Sequence, residues 1–169
     1  MTRYELDTLI ESLSLEGVNP DILKRVANMI PQDILAKEVV PGIAIDDVET
    51  IFADGFADSN AFVDVDYDED IYKQAKVELE ANGISRERMT IELVQAMMVY
   101  QGHHLVLTDQ DGDKHAFGRD ELARGVDLML ANVEGKTRLA KIEKMFDDGD
   151  FFTFEGIIQY GIYGEIVYG

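Results

Sequence analysis

The run Met89-Thr90-Ile91-Glu92-Leu93-Val94-Gln95-Ala96-Met97-Met98-Val99-Tyr100 decides the fold. Met89, Leu93, Ala96, Met97 and Tyr100 recur at helical spacing, and Ile91, Val94 and Met98 lay a second stripe beside the first. A helix apolar on nearly two faces belongs at the centre of a core. Ser85 offers an N-cap and Gln101-Gly102 a stop, so the spacing predicts a central helix over 85–100. Directly after it, His103–Thr108 reads as a strand, Asp109–Asp113 as a turn and Lys114–Phe117 as the return strand. Asp111-Gly112 favours a two-residue type I′ turn, a register that sets His115 opposite Thr108.

Elements on either side extend this pattern. Upstream, Phe62–Asp68 alternates apolar and acidic residues, an extended segment with Val63, Val65 and Tyr67 on one face and Asp64, Asp66 and Asp68 on the other. A helix then starts among Asp68–Asp70, where acids favour the positive end of the dipole, and stops at Asn82-Gly83, with Ile84 folding back on its last turn. Asp46 or Asp47 caps a helix carrying Val48, Ile51 and Phe52, and Val39–Ala44 is extended around Pro41-Gly42. Further upstream, helices are expected over 4–15, from Asn19-Pro20 to Ile30, and over 31–38. Downstream, helices are expected over 120–132 and 136–146, and a last one is capped by Thr153. The expected class is α+β and mainly helical: six or seven helices around 85–100, the hairpin 103–117 and one more short strand over 61–67. Asp54–Asn60 marks a boundary between an N-terminal helical portion, 1–58, and a helix–hairpin–helix portion, 59–169.

Composition narrows the function. The 169 residues hold 34 Asp and Glu against 15 Lys and Arg, a net charge of −19, with no cysteine. Disulfides, thiolate zinc sites and cysteine nucleophiles are thereby excluded. No apolar run approaches the roughly 18 residues of a membrane span, and the N-terminal residues lack a signal-peptide pattern, so cytoplasm is the expected compartment. The charge is uneven. Between Lys37 and Lys73 lie no basic residues and eleven acids: Glu38, Asp46, Asp47, Glu49, Asp54, Asp58, Asp64, Asp66, Asp68, Glu69 and Asp70. Such a field repels nucleic acid and anionic membrane and steers basic partners toward it. Acidity also serves solubility and suits a salty cytoplasm, so charge alone names no function.

Other constellations are weaker. Asp109, Asp111 and Asp113 around Gly112 suggest calcium, but with Gly112 at the sixth loop position the first falls on Leu107 and the twelfth on Gly118. Asp64, Asp66, Asp68 and Asp70 are candidate divalent-metal ligands, against a plainer reading as a solvated strand face. In the expected register His104 lies about 13 Å from the position opposite His115, at about 3.3 Å per residue, too far to share a zinc. P-loop, dinucleotide and nucleophile-elbow motifs are absent. The basic stretch Lys114, Arg119, Arg124, Lys136, Arg138, Lys141 and Lys144 is interleaved with five acids and reads as ordinary helix faces rather than a nucleic-acid patch. Aromatics crowd the last nineteen residues, where Tyr160 and Tyr163 fall off the core stripe as a candidate oligomer or partner surface.

Three functions fit. The first is a non-enzymatic acidic interaction module that occupies a basic groove, one that otherwise holds nucleic acid, its sites being the 38–72 carboxylates with Tyr160 and Tyr163. Nucleic-acid-mimicking inhibitors of phages and mobile elements use this design, an analogy and not a family match. The second is a metal-binding protein or metal-dependent enzyme using Asp64–Asp70, with His104 or His115 as accessory. The third is a virion or complex-assembly component that associates through the C-terminal aromatics. No cofactor is implied.

Overall fold

The computed structural model describes Asn19, Ile22, residues 34–56 and residues 59–169. The helices expected over 4–15 and from Asn19-Pro20 to Ile30, and the candidate Asp58, lie outside the described residues apart from Asn19 and Ile22. The chain is α+β and mainly helical. Of the helix expected over 31–38, residues 31–33 lie outside the described residues, and the remainder is a 3₁₀ turn, Ile34–Ala36, because the chain is already extended at Glu38. β1 (Glu38–Val40) and β2 (Ile43–Ala44) pair antiparallel around Pro41-Gly42. α1 (Ile45–Phe56) follows at once, and Asp47 reaches back to accept from the Ala44 N–H at 2.7 Å, half of a capping box.

β3 (Phe62–Asp66) leads to α2 (Glu69–Ala81), whose ends match the expectation. Asp68 caps it by accepting from Asp70 and Ile71 N–H. Gly83, at φ 87°, and Ile84 close its C-terminus, with Ile84 N–H donating to the Leu79 carbonyl at 3.1 Å. That is the Schellman arrangement, in which the carbonyls of the last turn are satisfied by the residues that leave it.

The central helix, α3 (Ile91–Tyr100), starts six residues later than expected. Ser85–Arg88 is a turn instead, and the cap is Thr90, whose hydroxyl accepts from Leu93 N–H at 3.0 Å. The shorter helix frees Arg88 for an ion pair described below. Leu93 through Val99 are all buried, as the double stripe requires.

β4 (Leu105–Asp109) and β5 (Lys114–Phe117) form the hairpin in a register one residue from the expected one. Thr108 faces Lys114, and His115 faces Leu107, not Thr108. Gly112 N–H donates to the Asp109 carbonyl and Asp109 N–H to the Asp113 carbonyl, both at 3.0 Å, so the loop has three residues, Gln110–Gly112. Gly112 takes the left-handed position that such loops require, at φ 86°. The Asp109 side chain selects this loop over the two-residue turn, since its Oδ1 accepts from the Asp111 and Asp113 N–H groups at 3.0 and 2.9 Å. A slip of one residue exchanges the faces of a strand, so His115 now lies on the Asp109 and Leu107 side.

β3 completes the sheet in the order β3-β4-β5, and its alternation is broken. Phe62 faces Asp109 and Asp64 faces Thr108, leaving Val63 as a bulge. Phe62 and Val65 therefore point inward, Val63 is 66% exposed, and Asp64 and Asp66 keep the outer face.

α4 (Arg119–Ala131), α5 (Arg138–Asp148) and α6 (Phe151–Tyr163) complete the fold. α6 starts two residues before the expected cap: Asp150, not Thr153, accepts from Thr153 N–H at 3.0 Å. It packs against α4 and α1, while α1 and α2 flank α3. A Cβ on Gly125 would strike the Ile157 carbonyl oxygen, and one on Gly161 would meet the Glu121 carbonyl oxygen at 2.6 Å, so α4 and α6 touch backbone to backbone. One hydrophobic cluster runs from Ile34 through Phe52, Met97 and Phe117 to Ile158. No helix among the described residues is long and apolar enough to cross a membrane.

Candidate functional site

The structure divides the acidic interval in two. Its first part is spent internally. Arg88 donates to Glu49 from Nη1 at 2.6 Å and to Asp46 from Nη2 at 2.7 Å, while Thr90 donates to Glu49 at 2.6 Å. Glu49 is 8% exposed. Burial pushes its carboxyl up, but the Arg88 and Thr90 hydrogen bonds and the Arg88 charge outweigh that and hold it below the usual range. The same Glu49 bond raises Arg88. Asp47 is committed to Ala44, so three of the candidate contact acids serve the fold.

The second part faces solvent. Asp54 is exposed on the last turn of α1, and Asp64 and Asp66 project from the outer face of the sheet. The row expected to run from Asp64 to Asp70 stops at Asp66, because Asp68 turns to cap α2 and Glu69 and Asp70 occupy its first turn. Lys73 meets Asp70 at 3.4 Å and Glu69 at 3.5 Å on a well-exposed surface, where such pairs contribute little.

Basic side chains are turned to the protein's own groups. Arg119 donates to the Val39 carbonyl at 3.1 Å, with its guanidinium over Tyr100. Arg124 holds the Gly161 carbonyl, Arg138 the Pro41 carbonyl and Asp127, and Lys141 the Leu130 carbonyl. Arg86 pairs with Glu80 and Lys144 with Glu134, and Lys37 and Lys76 lie over Tyr100 and Tyr72. The basic stretch 114–144 is thus largely a set of internal ties, and carboxylates dominate what solvent sees.

A second constellation escaped sequence reasoning. Asp109, 3% exposed, uses Oδ2 to accept from His115 Nε2 at 2.8 Å and from the Tyr163 hydroxyl at 3.0 Å. Tyr163 Oη is also 3.3 Å from His115 Nε2, and the Tyr168 hydroxyl donates to Asp111 at 2.8 Å. The His115 bond, with the backbone and Tyr163 donors, holds Asp109 at about 2 against the opposing effect of burial. Burial and Asp109 push Tyr163 well above the usual phenol range, and the Asp111 bond lifts Tyr168 to about 12. A carboxylate held this low is a weak base and phenols held this high are weak acids, so the geometry suits a strut between hairpin and C-terminus better than proton transfer near neutrality. Gln159, 1% exposed, extends the strut by accepting from Val167 and Tyr168 N–H, each at 2.9 Å, and donating to the Tyr168 carbonyl at 2.8 Å. Buried Glu155 likewise fastens the turn before β3, accepting from Ser59 Oγ at 2.6 Å and from the Asn60 and Ala61 N–H groups.

Tyr163, a candidate contact residue, therefore has its hydroxyl committed to Asp109, and Tyr160 is half-buried. The exposed aromatic of α6 is Phe152, at 63%. Only its neighbours' spacing could have revealed this: Phe154, Ile157, Ile158 and Gly161 define the inward stripe, and Phe152 lies off it. Among the described residues no group of three or more His, Asp and Glu side chains is arranged to hold a metal ion, and Asp109 is already saturated by donors. Comparison with protein-family models, with curated proteins and with solved structures found no match.

Proposed function

We propose that this protein is a non-enzymatic acidic interaction module whose exposed carboxylates occupy a basic groove of a partner protein, competing there with nucleic acid. The observation that carries this reading is the asymmetry of charge use. Most of the described arginines and lysines, Lys114 and Lys136 excepted, are spent on internal carbonyls, rings and carboxylates, whereas among the described residues Asp54, Asp64 and Asp66 face water with no ion-pair partner. Asp64 and Asp66 occupy successive same-face positions of a strand, about 7 Å apart, on a sheet pinned by the hairpin strut. Rigid carboxylates at that interval are on the scale of the step between neighbouring phosphates, and they bind without the ordering cost a flexible acidic tail incurs.

The test is capture of the partner from the native host, followed by titration of the purified pair. A basic nucleic-acid-binding protein is expected, with affinity falling steeply between about 50 and 300 mM salt. The double change Asp64→Asn with Asp66→Asn is expected to weaken the complex by about 10-fold or more, at about 1.4 kcal/mol per decade. Binding that ignores both salt and these substitutions overturns the reading.

A further inference from the structure

An open, partly apolar cleft lies far along the chain from the acidic interval, where α4, α5 and α6 meet. A cleft of about 380 Å³ is floored there by Met129, Val133 and Met145, with Gly149 and Thr153 closing one side. The floor continues past the cleft. Gly156 sits against Met129, since a Cβ there would come within 2.8 Å of its terminal methyl and 3.4 Å of the tip of Ile166. One turn before Gly156 on α6, Phe152 stands 63% exposed, and Ile166 and Val167 are about half exposed. The rim is acidic. Glu134 and Asp148 line the cleft, exposed Asp147 lies in the last turn of α5 and exposed Asp150 at the cap of α6, and exposed Glu165 precedes Ile166. The cleft's own cation, Lys144, is answered by Glu134 at 3.7 Å.

We propose that this cleft receives a short basic amphipathic helix of a partner protein, its aliphatic face seated on Met129, Val133 and Phe152 and its lysines or arginines on the carboxylate rim. The proposal rests on the acidic-interaction reading and adds where the contact has an apolar anchor and what the partner offers to it. Charge complementarity selects this occupant. A second copy of the chain would bring an identical acidic rim and another net charge of −19, and an anionic lipid surface would be repelled by the same carboxylates. Methionine side chains suit the role because they are unbranched and polarizable and repack around differing aliphatic partners. The cleft is large enough for the anchoring side chains of a helix lying across it, as in helix-in-groove recognition.

The experiment uses two labelled peptides of leucine and lysine with identical composition, one ordered so that leucines share a helical face and one scrambled. Anisotropy titrations with the full chain are expected to show the amphipathic order binding about 10-fold tighter or better. Phe152→Ala, at a position too exposed to threaten folding, should remove most of that advantage, while Asp64→Asn with Asp66→Asn leaves it within about two-fold. In spectra of methyl-labelled methionine, the peptide should shift Met129 and leave the buried Met97 and Met98 unmoved. Equal affinity for the two orders, an F152A variant that binds like the parent, or an unshifted Met129 methyl would each overturn the cleft assignment. If the two orders bind equally but both release with salt, the cleft fails and the acidic-surface reading stands. If neither responds to salt, the underlying reading fails as well.

Discussion

Replacing Arg88 by alanine tests how the buried carboxylate of Glu49 is held. Arg88 and Thr90 together give Glu49 its hydrogen bonds, and the carboxylate is 8% exposed. Removing one partner of a fully buried ion pair costs about 3–5 kcal/mol, whereas an exposed pair contributes about 0.2–1. Here the carboxylate is buried but the Arg88 side chain is 42% exposed, so water enters the vacated space and an intermediate cost of about 2 kcal/mol is expected. The Asp46 contact, on a 58% exposed side chain, adds little. For a chain of this length that is a fall in Tm of about 4–8 °C. Glu49→Gln in the R88A background should return about 1 kcal/mol, because a neutral amide is cheaper to strand than a charge. The pH dependence carries a sign. In the native protein Glu49 lies below its ordinary 4.5, so its stabilisation is complete above that value and is lost as pH falls through the depressed pKa. Without Arg88 burial dominates, the carboxyl is pushed up, and acidification from about pH 6 to pH 4 should narrow the gap between variant and parent. Urea denaturation at several pH values reads all three quantities. An R88A variant within about 0.5 kcal/mol of the parent, or a gap that widens in acid, would refute this account of the site.

Other outcomes follow from the same contacts. Gly125→Ala drives a methyl into the Ile157 carbonyl, which cannot rotate away, so α4 and α6 must separate; a loss of about 3 kcal/mol or more is expected by thermal or urea unfolding. Asp109, held at about 2, should contribute stability that is complete above about pH 4 and is lost as pH falls toward 2, and Tyr163→Phe should raise its carboxyl titration as followed by NMR. Gln159→Leu keeps the bulk but removes the acceptor for Val167 and Tyr168, so those two amides should lose hydrogen-exchange protection while the α6 core keeps its own.

Where local chemistry and tertiary packing agree, the sequence could be read. α2 is written in Asp68 at one end and Asn82-Gly83-Ile84 at the other, and α3 in its double stripe. Failures came where a side chain outvoted a backbone preference. Asp111-Gly112 suits a two-residue turn, yet Asp109 supplies two extra acceptor bonds to a three-residue loop, and that choice moved His115 to the opposite face. The cap of α3 fell to Thr90 because Thr90 and Arg88 both serve Glu49, some forty residues away, a pairing that helical periodicity cannot see. The Asp109, His115 and Tyr163 strut joins strand, strand and last helix, and nothing in the spacing of those residues announces it. Concentration of acids at 38–72 was legible, but not which of them the fold consumes.

The bulge at Val63 also bears on what the sheet offers to another chain. Among the described residues β3 is an edge of the sheet, and an edge with regular hydrogen-bonding groups is a template for another chain. Here the extra residue, Val63, bends the strand and swings its own side chain out of line, while Asp64 and Asp66 keep charge on the outer face beside that edge. Deleting Val63 would restore strict alternation, with Phe62 and Val65 inward, and straighten the edge into the regular geometry on which another strand can pair.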